Sequence, residues 1–386
     1  LNEISKAEAK GTPVKALVFG GGYFGDGGRM ATSDSTPRTG YDNYATTAPD
    51  LTGIKGNAIY VVNAQTGALI WKAVDNGSTG ADGGTGVVYD TNTGLNDSFA
   101  AQVAVVDAND DDVAERGYVG DMGGNIWRID MPRNLGPQTD NRSNWKLTKL
   151  AALGDVARDG GADDRRFMSR IDVVFGKDPA GSTFDALLIG SGDREHPKET
   201  VREDYFFVIK DPNGTTPPSG SYTALGIDSL ANANCLLVAG AATTGCDTAQ
   251  ALLTNGYKLP LTEPGEKVLS PSLTIGGQVY FSSYLPEGGP TNTAECNAAQ
   301  LGIGRGYAVS LFNGRPVLNR NALDDNQLTS PTTAADRWED TSWGSGIPTE
   351  YQSLGGNYIM GRPGAFQNAN VSSYYRTYWY EKDVDH

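Results

Sequence analysis

The sequence predicts an all-β fold built from a repeated strand–turn–strand unit. Three observations carry that prediction. The unit recurs along the chain at an irregular spacing of roughly 50 to 80 residues, the signature of a repeat architecture with insertions. Fifty of the 386 residues are glycine, which fits many short strands joined by tight turns. Amphipathic helical periodicity is scarce, and only Ala7–Lys15 and the region around Leu147–Val156 read as short helices. Repeated sheets of this kind close into a β-propeller, which protects most strand edges.

The first unit runs from Gly56 to Trp71, with Thr66-Gly67 as its hairpin turn. Its IYVVNAQTGALIW segment resembles the blade motif of quinoprotein-like propellers. The second unit runs from Arg116 to Asp130 and the third, more degenerate, from Ala186 to Asp193 and on through Asp204–Asp211. Gly277–Tyr284 followed by Gly306–Gly314 makes the fourth. Trp71 and Trp127 close their units and are expected in the core, because large aromatics mostly supply packing area. Polar, turn-rich insertions are expected at Tyr23–Lys55, Asp75–Gly94, Asn134–Trp145, Pro212–Thr254 and Asn319–Gly344. Long loops on a rigid scaffold are where binding tends to reside.

Composition excludes several functions. The net charge is -15 and no Lys/Arg cluster stands out, so nucleic acid is a poor partner. No window approaches the roughly 20 apolar residues that span a bilayer. The chain opens at Leu1 without an initiator methionine or signal peptide, so it reads as part of a longer protein. Cys235 and Cys246 lie in one polar excursion and can bridge if the chain is exported, although Cys296 is an alternative partner for either. No CxxC occurs, which argues against a zinc ribbon or a thioredoxin-like redox site.

The segment Asp107–Glu115 carries the chemistry. Oxygen side chains occupy loop positions 1, 3, 5 and 9 (Asp107, Asn109, Asp111 and Glu115), and Val113 at position 7 offers a backbone carbonyl. This alternation wraps a hard cation, and an all-oxygen donor set favours calcium over zinc or copper. Five carboxylates within nine residues repel one another in a tight turn and call for a counter-charge. The loop departs from a full EF-hand: position 12 is Tyr118, and position 6 is Asp112 where glycine is usual. Asp tolerates positive φ better than most residues, so the sharp turn survives. The flanks read as strands, which places the loop on a β scaffold.

With these segments in place, the chain resembles the C-terminal β-propeller domain of PilY1-type proteins, the tip-associated adhesin and biogenesis factors of bacterial type IV pili. The resemblance covers nearly the whole chain in order. It rests on Leu17–Tyr23, on the acidic loop running into Tyr118–Asp121 and Gly124–Asp130, on Gly190–Glu195 with Pro197 and Tyr205–Phe207, and on Gly265–Ser270 and Val279–Pro286. It implies one irregular seven-bladed, quinoprotein-like propeller over residues 1–386, the C-terminal part of a longer protein. It also implies one calcium site whose ligands fall on Asp107, Asn109, Asp111, the Val113 carbonyl and Glu115. Implied with these are exported, outer-membrane-associated placement at the pilus tip and pilin partners. Surface adhesion, twitching motility and calcium control of pilus extension against retraction complete the set. The family usually has Asp where Glu115 stands. The Arg-Gly-Asp motif of some members does not occur here.

A quinoprotein-like dehydrogenase is the alternative, since such enzymes share the blade motif. No cofactor constellation supports it. His196 lies in a turn with no partner evident in the sequence, a poor general base. Asp193-Arg194-Glu195 reads as a structural ion pair in a turn, and Glu266-Lys267 as a charge pair at a blade edge. Gly20-Gly21-Gly22 follows a strand but lacks the spacing of a phosphate loop.

Overall fold

The computed structural model of the chain describes residues 2–5, 13–23, 56–75, 88–92, 94–132, 142–154, 162–178, 181–214, 217–218, 222–237, 246–286, 302–318, 333–339, 346–354, 358–362 and 365–368. Its strands form five sheets. The first holds β1 (Asn2–Ser5), β2 (Pro13–Gly20), β3 (Ile59–Asn63), β4 (Leu69–Asp75) and β5 (Val88–Asn92). The second holds β6 (Ala104–Val106), β7 (Arg116–Gly120), β8 (Asn125–Asp130) and β9 (Lys146–Ala152). The third begins with β10 (Asp172–Lys177), β11 (Thr183–Gly190) and β12 (Tyr205–Asp211). Next, β13 (Leu225–Gly226) returns to pair in parallel with β9, while β14 (Ala231–Asn232) and β15 (Gly256–Pro260) complete the third sheet beyond β12. The fourth holds β16 (Leu273–Ile275), β17 (Gln278–Leu285), β18 (Ile303–Ser310) and β19 (Trp338–Glu339). A fifth, of three strands, holds β20 (Gln352–Leu354), β21 (Tyr358–Arg362) and β22 (Ala365–Asn368). The single described α-helix is α1 (Ala249–Leu252), and no described helix is long and apolar enough to cross a membrane.

Strand alternation explains how the sheets stack. In β12, Phe206 and Val208 join a cluster with Phe281, Tyr307 and Val309 of the fourth sheet. Phe207 and Ile209 point the other way, to Tyr118, Ile126 and Leu150 of the second sheet. Both faces of β11 and β12 are thus buried, which is why these two strands read as nearly continuous apolar runs. Phe206 stacks on Phe281 at 3.9 Å and Phe281 on Tyr307 at 4.5 Å, so aromatic rings tie the third sheet to the fourth. Between the first and second sheets, Ile59, Val61 and Trp71 meet Val119, Trp127 and Ile129. Trp71 and Trp127 are fully buried, as expected of core tryptophans.

Three expectations change. The helix expected near Leu147–Val156 is β9 over its first six residues. Opposite it, Ile126 pairs with Ala151 and Trp127 with Lys149, so Leu150 is the extra residue of a β-bulge. The bulge puts Leu147 and Leu150 on a three-residue spacing that imitates a helix. Of the other expected helix, Pro13–Lys15 begins β2, and the preceding residues lie outside the described ones. Three expected insertions also contribute to sheets: Asp75–Gly94 supplies β5, parallel to β4, Pro212–Thr254 supplies β13 and β14, and Asn319–Gly344 supplies β19, antiparallel to β18. Cys235 and Cys246 form a disulfide whose Cα atoms are 5.3 Å apart, and Cys296 lies outside the described residues.

Gly20 and Gly21 serve packing, and Gly22 holds a positive φ of 97°. A Cβ on Gly20 would come within 2.5 Å of Phe99, and one on Gly21 within 2.6 Å of the Gly56 carbonyl. Their neighbouring N–H groups are spent on the fold, Gly21 donating to the Ala58 carbonyl and Gly22 to that of Phe99.

Candidate metal centre

The acidic loop joins β6 to β7. Its first residue organises it: Asp107 Oδ1 accepts from the N–H groups of Asn109, Asp110 and Asp111, and Oδ2 from that of Asp112 at 2.8 Å. Asn109 Oδ1 accepts from the Asp111 N–H and Asp111 Oδ1 from the Val113 N–H, both at 3.0 Å. This ladder of Asx turns folds nine residues into a tight coil. Asp110 and Asp112 take positive φ, 59° and 66°, and they are the only described non-glycine residues that do. Asp112 therefore adopts the left-handed turn usually given to glycine at that position. The coil is anchored at its far end, where Glu115 N–H donates to the Val106 carbonyl and the Glu115 carbonyl accepts from Met131.

The coil brings three of the candidate ligands together. Carboxylate oxygens of Asp107, Asp111 and Glu115 all lie within 4.8 Å of one another. Glu115 Oε2 accepts from the Ala108 N–H at 3.0 Å, whereas Oε1 is buried and accepts no hydrogen bond. Burial raises the Glu115 pKa, and the charges of Asp107 and Asp111 raise it further. A buried, unsatisfied carboxylate oxygen facing two other carboxylates is what a cation would satisfy. The donor set therefore fits a hard divalent ion. Asn109 and Val113 sit in the same coil, with the Val113 side chain buried beneath it.

Beyond the loop lies a buried ionic network that joins the second sheet to the third. Arg116, directly after Glu115, donates through Nε to Asp185 of β11 at 2.7 Å. Tyr118 Oη donates to Asp185 and lies 3.0 Å from Asp211 of β12, which also pairs with Arg128 at 2.7 Å. All five side chains are almost fully buried. The strand that leaves the loop is thus fastened to the next sheet by charge as well as packing. Pairing across 69 residues of sequence carries no local signal.

The remaining candidates resolve differently. Asp193 is fully buried and pairs with Arg166 at 2.6 Å and Arg202 at 3.5 Å, not with the exposed Arg194. His196 does have a partner, its Nδ1 lying 2.9 Å from Asp193 Oδ2. The same carboxylate already serves two guanidinium groups and the Glu195 N–H, so the cluster reads as a clamp on the turn. Glu266 and Lys267 are buried rather than at a blade edge, and they do not pair. Glu266 accepts from Ser283, Tyr307 and Arg305, while Lys267 Nζ donates to the carbonyls of Pro197, Glu199 and Gly265.

No family model and no curated protein sequence matches the chain. Its structure is similar to the crystal structure of the Pseudomonas aeruginosa PilY1 C-terminal domain, with a TM-score of 0.55. The match covers 82% of this chain and 67% of that one. The fold is that of the PilY1 C-terminal domain. At 17% identity the likeness establishes the fold and leaves function to be argued from the site. It agrees with the resemblance carried by the strand segments and with an all-β architecture.

Proposed function

We propose that the chain is a calcium-binding, non-catalytic propeller module of a type IV pilus tip and biogenesis factor. The observation that carries this reading is the convergence of Asp107, Asp111 and Glu115 on a β-scaffold of the PilY1 C-terminal type. Residues 1–386 make one propeller of seven irregular blades. Asp107, Asn109, Asp111, the Val113 carbonyl and Glu115 hold the ion. Calcium supplies the positive charge that the crowded carboxylates lack. The residues do the rest: Asp107 fixes the coil through four N–H groups, and Arg116 passes its order to the third sheet through Asp185. A more ordered loop thereby stabilises one docking surface over another, by no more than the ion's differential affinity for the two states.

In this reading the module sits at the exported pilus tip, associated with the outer membrane. It engages pilins, shifts the balance between extension and retraction, and supports surface adhesion and twitching. The test is an Asp107→Ala allele in the bacterium that makes the protein. Piliation and twitching should lose their response to external calcium. Normal piliation and retraction at every calcium level would overturn the reading.

A further inference from the structure

An open groove of about 450 Å³ lies where the acidic loop meets the third and fourth sheets. That size falls within the roughly 300–1,000 Å³ typical of ligand clefts. Its walls are mainly apolar, formed by Phe175 and Phe184 of the third sheet and by Leu311 and Phe312 after β18. Phe175 is 50% exposed and Phe312 39%, so both are exposed large apolar side chains. Small residues keep the groove open: Ala108 closes it on the loop side, and Gly176 and Gly277 line it. A Cβ on Gly176 would come within 2.4 Å of the Phe184 ring. The Arg116–Asp185 pair also lines it, but each charge there neutralises the other.

We propose that this groove docks an extended peptide segment of a partner protein, one that carries an aromatic or branched aliphatic side chain beside a basic residue. The apolar side chain fills the space between Phe175 and Phe312. β10 is the first strand of its sheet, so an extended segment can lie along its outer edge. Charge decides the flanking residue. Through Ala108 the groove abuts a loop with five carboxylates, of which Asp110 and Asp112 are exposed and lie outside the ligand set. A divalent ion cancels only two of the five charges, so this rim stays acidic with or without metal. Lys177, exposed on the β10 side, sets the polarity: the basic residue of the partner turns toward the loop and away from Lys177. The chain's net charge of -15 favours the same partner at longer range. The groove does not require the metal reading, and the two stand or fall separately.

The test uses fluorescent peptides with a central phenylalanine flanked by lysines, by serines or by aspartates. Binding to the 386-residue chain is read by anisotropy, with and without calcium. The lysine-flanked peptide should bind saturably and most tightly in both conditions. Phe175→Ser and Phe312→Ser, both at exposed positions and so folded as the parent is, should each weaken it about tenfold or more. Asp110→Asn with Asp112→Asn should weaken it several-fold and flatten its salt dependence. Three outcomes would overturn the proposal: no saturable binding by any peptide, aspartate-flanked binding as tight as lysine-flanked, or indifference to both phenylalanine changes. Concentration-dependent dimerisation abolished by Phe312→Asp would also overturn it, by assigning the face to a second copy of the chain.

Discussion

Asp112 shows how much a single position in the loop constrains. It holds φ at 66° while its N–H donates to Asp107, so the left-handed turn and the organising carboxylate depend on each other. Asp112→Val places a β-branched side chain in that region and should cost about 1–3 kcal/mol in metal-free protein, measured by urea denaturation. Asp112→Gly should be tolerated; equal stability of the two variants would show that the turn is unstrained. Asp204 makes a pH prediction. It is fully buried, Ser191 Oγ donates to its Oδ1 at 2.6 Å, and its Oδ2 accepts nothing. Burial raises its pKa above the ordinary 3.8, against the opposing effects of the Ser191 hydrogen bond and of Lys267, Arg202 and Arg165. The folded state therefore holds this proton more tightly than the unfolded chain. That contribution is complete below pH 3.8 and is lost as pH rises through the raised value. Asp204→Asn should remove this part of the pH dependence, read from urea midpoints across the acidic range; an unchanged slope would contradict it. At this scale the sequence revealed which carboxylates converge, because loop position places Asp107, Asp111 and Glu115 in one coil. It did not reveal the partners of Asp193, Glu266 or Lys267, most of which come from loops and strands distant along the chain.

Individual elements explain both what could be read and what was misread. Hairpins at Gly56–Trp71 and Arg116–Asp130 were legible because turn residues and alternation agree there. β9 was not, because the Leu150 bulge breaks the period of two on which strand recognition rests. β5, β13, β14 and β19 were missed because strands this short or polar, added at sheet edges, leave no alternation to see. The junction of the second and third sheets yields a stability prediction. Arg116→Ala leaves Asp185 buried without its cation and should cost about 3–5 kcal/mol, whereas Arg116→Leu with Asp185→Leu should recover most of it. A double variant as unstable as Arg116→Ala would mean that the charges themselves, not their balance, hold the sheets. The Cys235–Cys246 disulfide closes a short loop beside Ala233, Leu236 and Ala249 of the core. Replacing both cysteines by serine should lower stability by about 2–4 kcal/mol, checked by thermal denaturation under non-reducing conditions.

At the scale of the whole molecule, four sheets among the described residues stack in chain order through three shared apolar layers, each lined from both sides by alternating strand residues. The far face of the fourth sheet carries Tyr280 against Tyr351, the residue just before the fifth sheet begins. That order follows from the repeat, which is why the fold class was readable from four units while blade number was not. This scaffold carries one acidic coil, and the central proposal is that the coil holds calcium. Calorimetric titration of calcium into metal-stripped protein, with Asp107→Ala beside it, tests that claim most directly. Saturable one-site heat is expected for the parent and none for the variant, since Asp107 organises the coil and is one of the proposed ligands. Absence of heat from both would make the loop a solvated acidic turn, and equal binding by both would place the ion elsewhere.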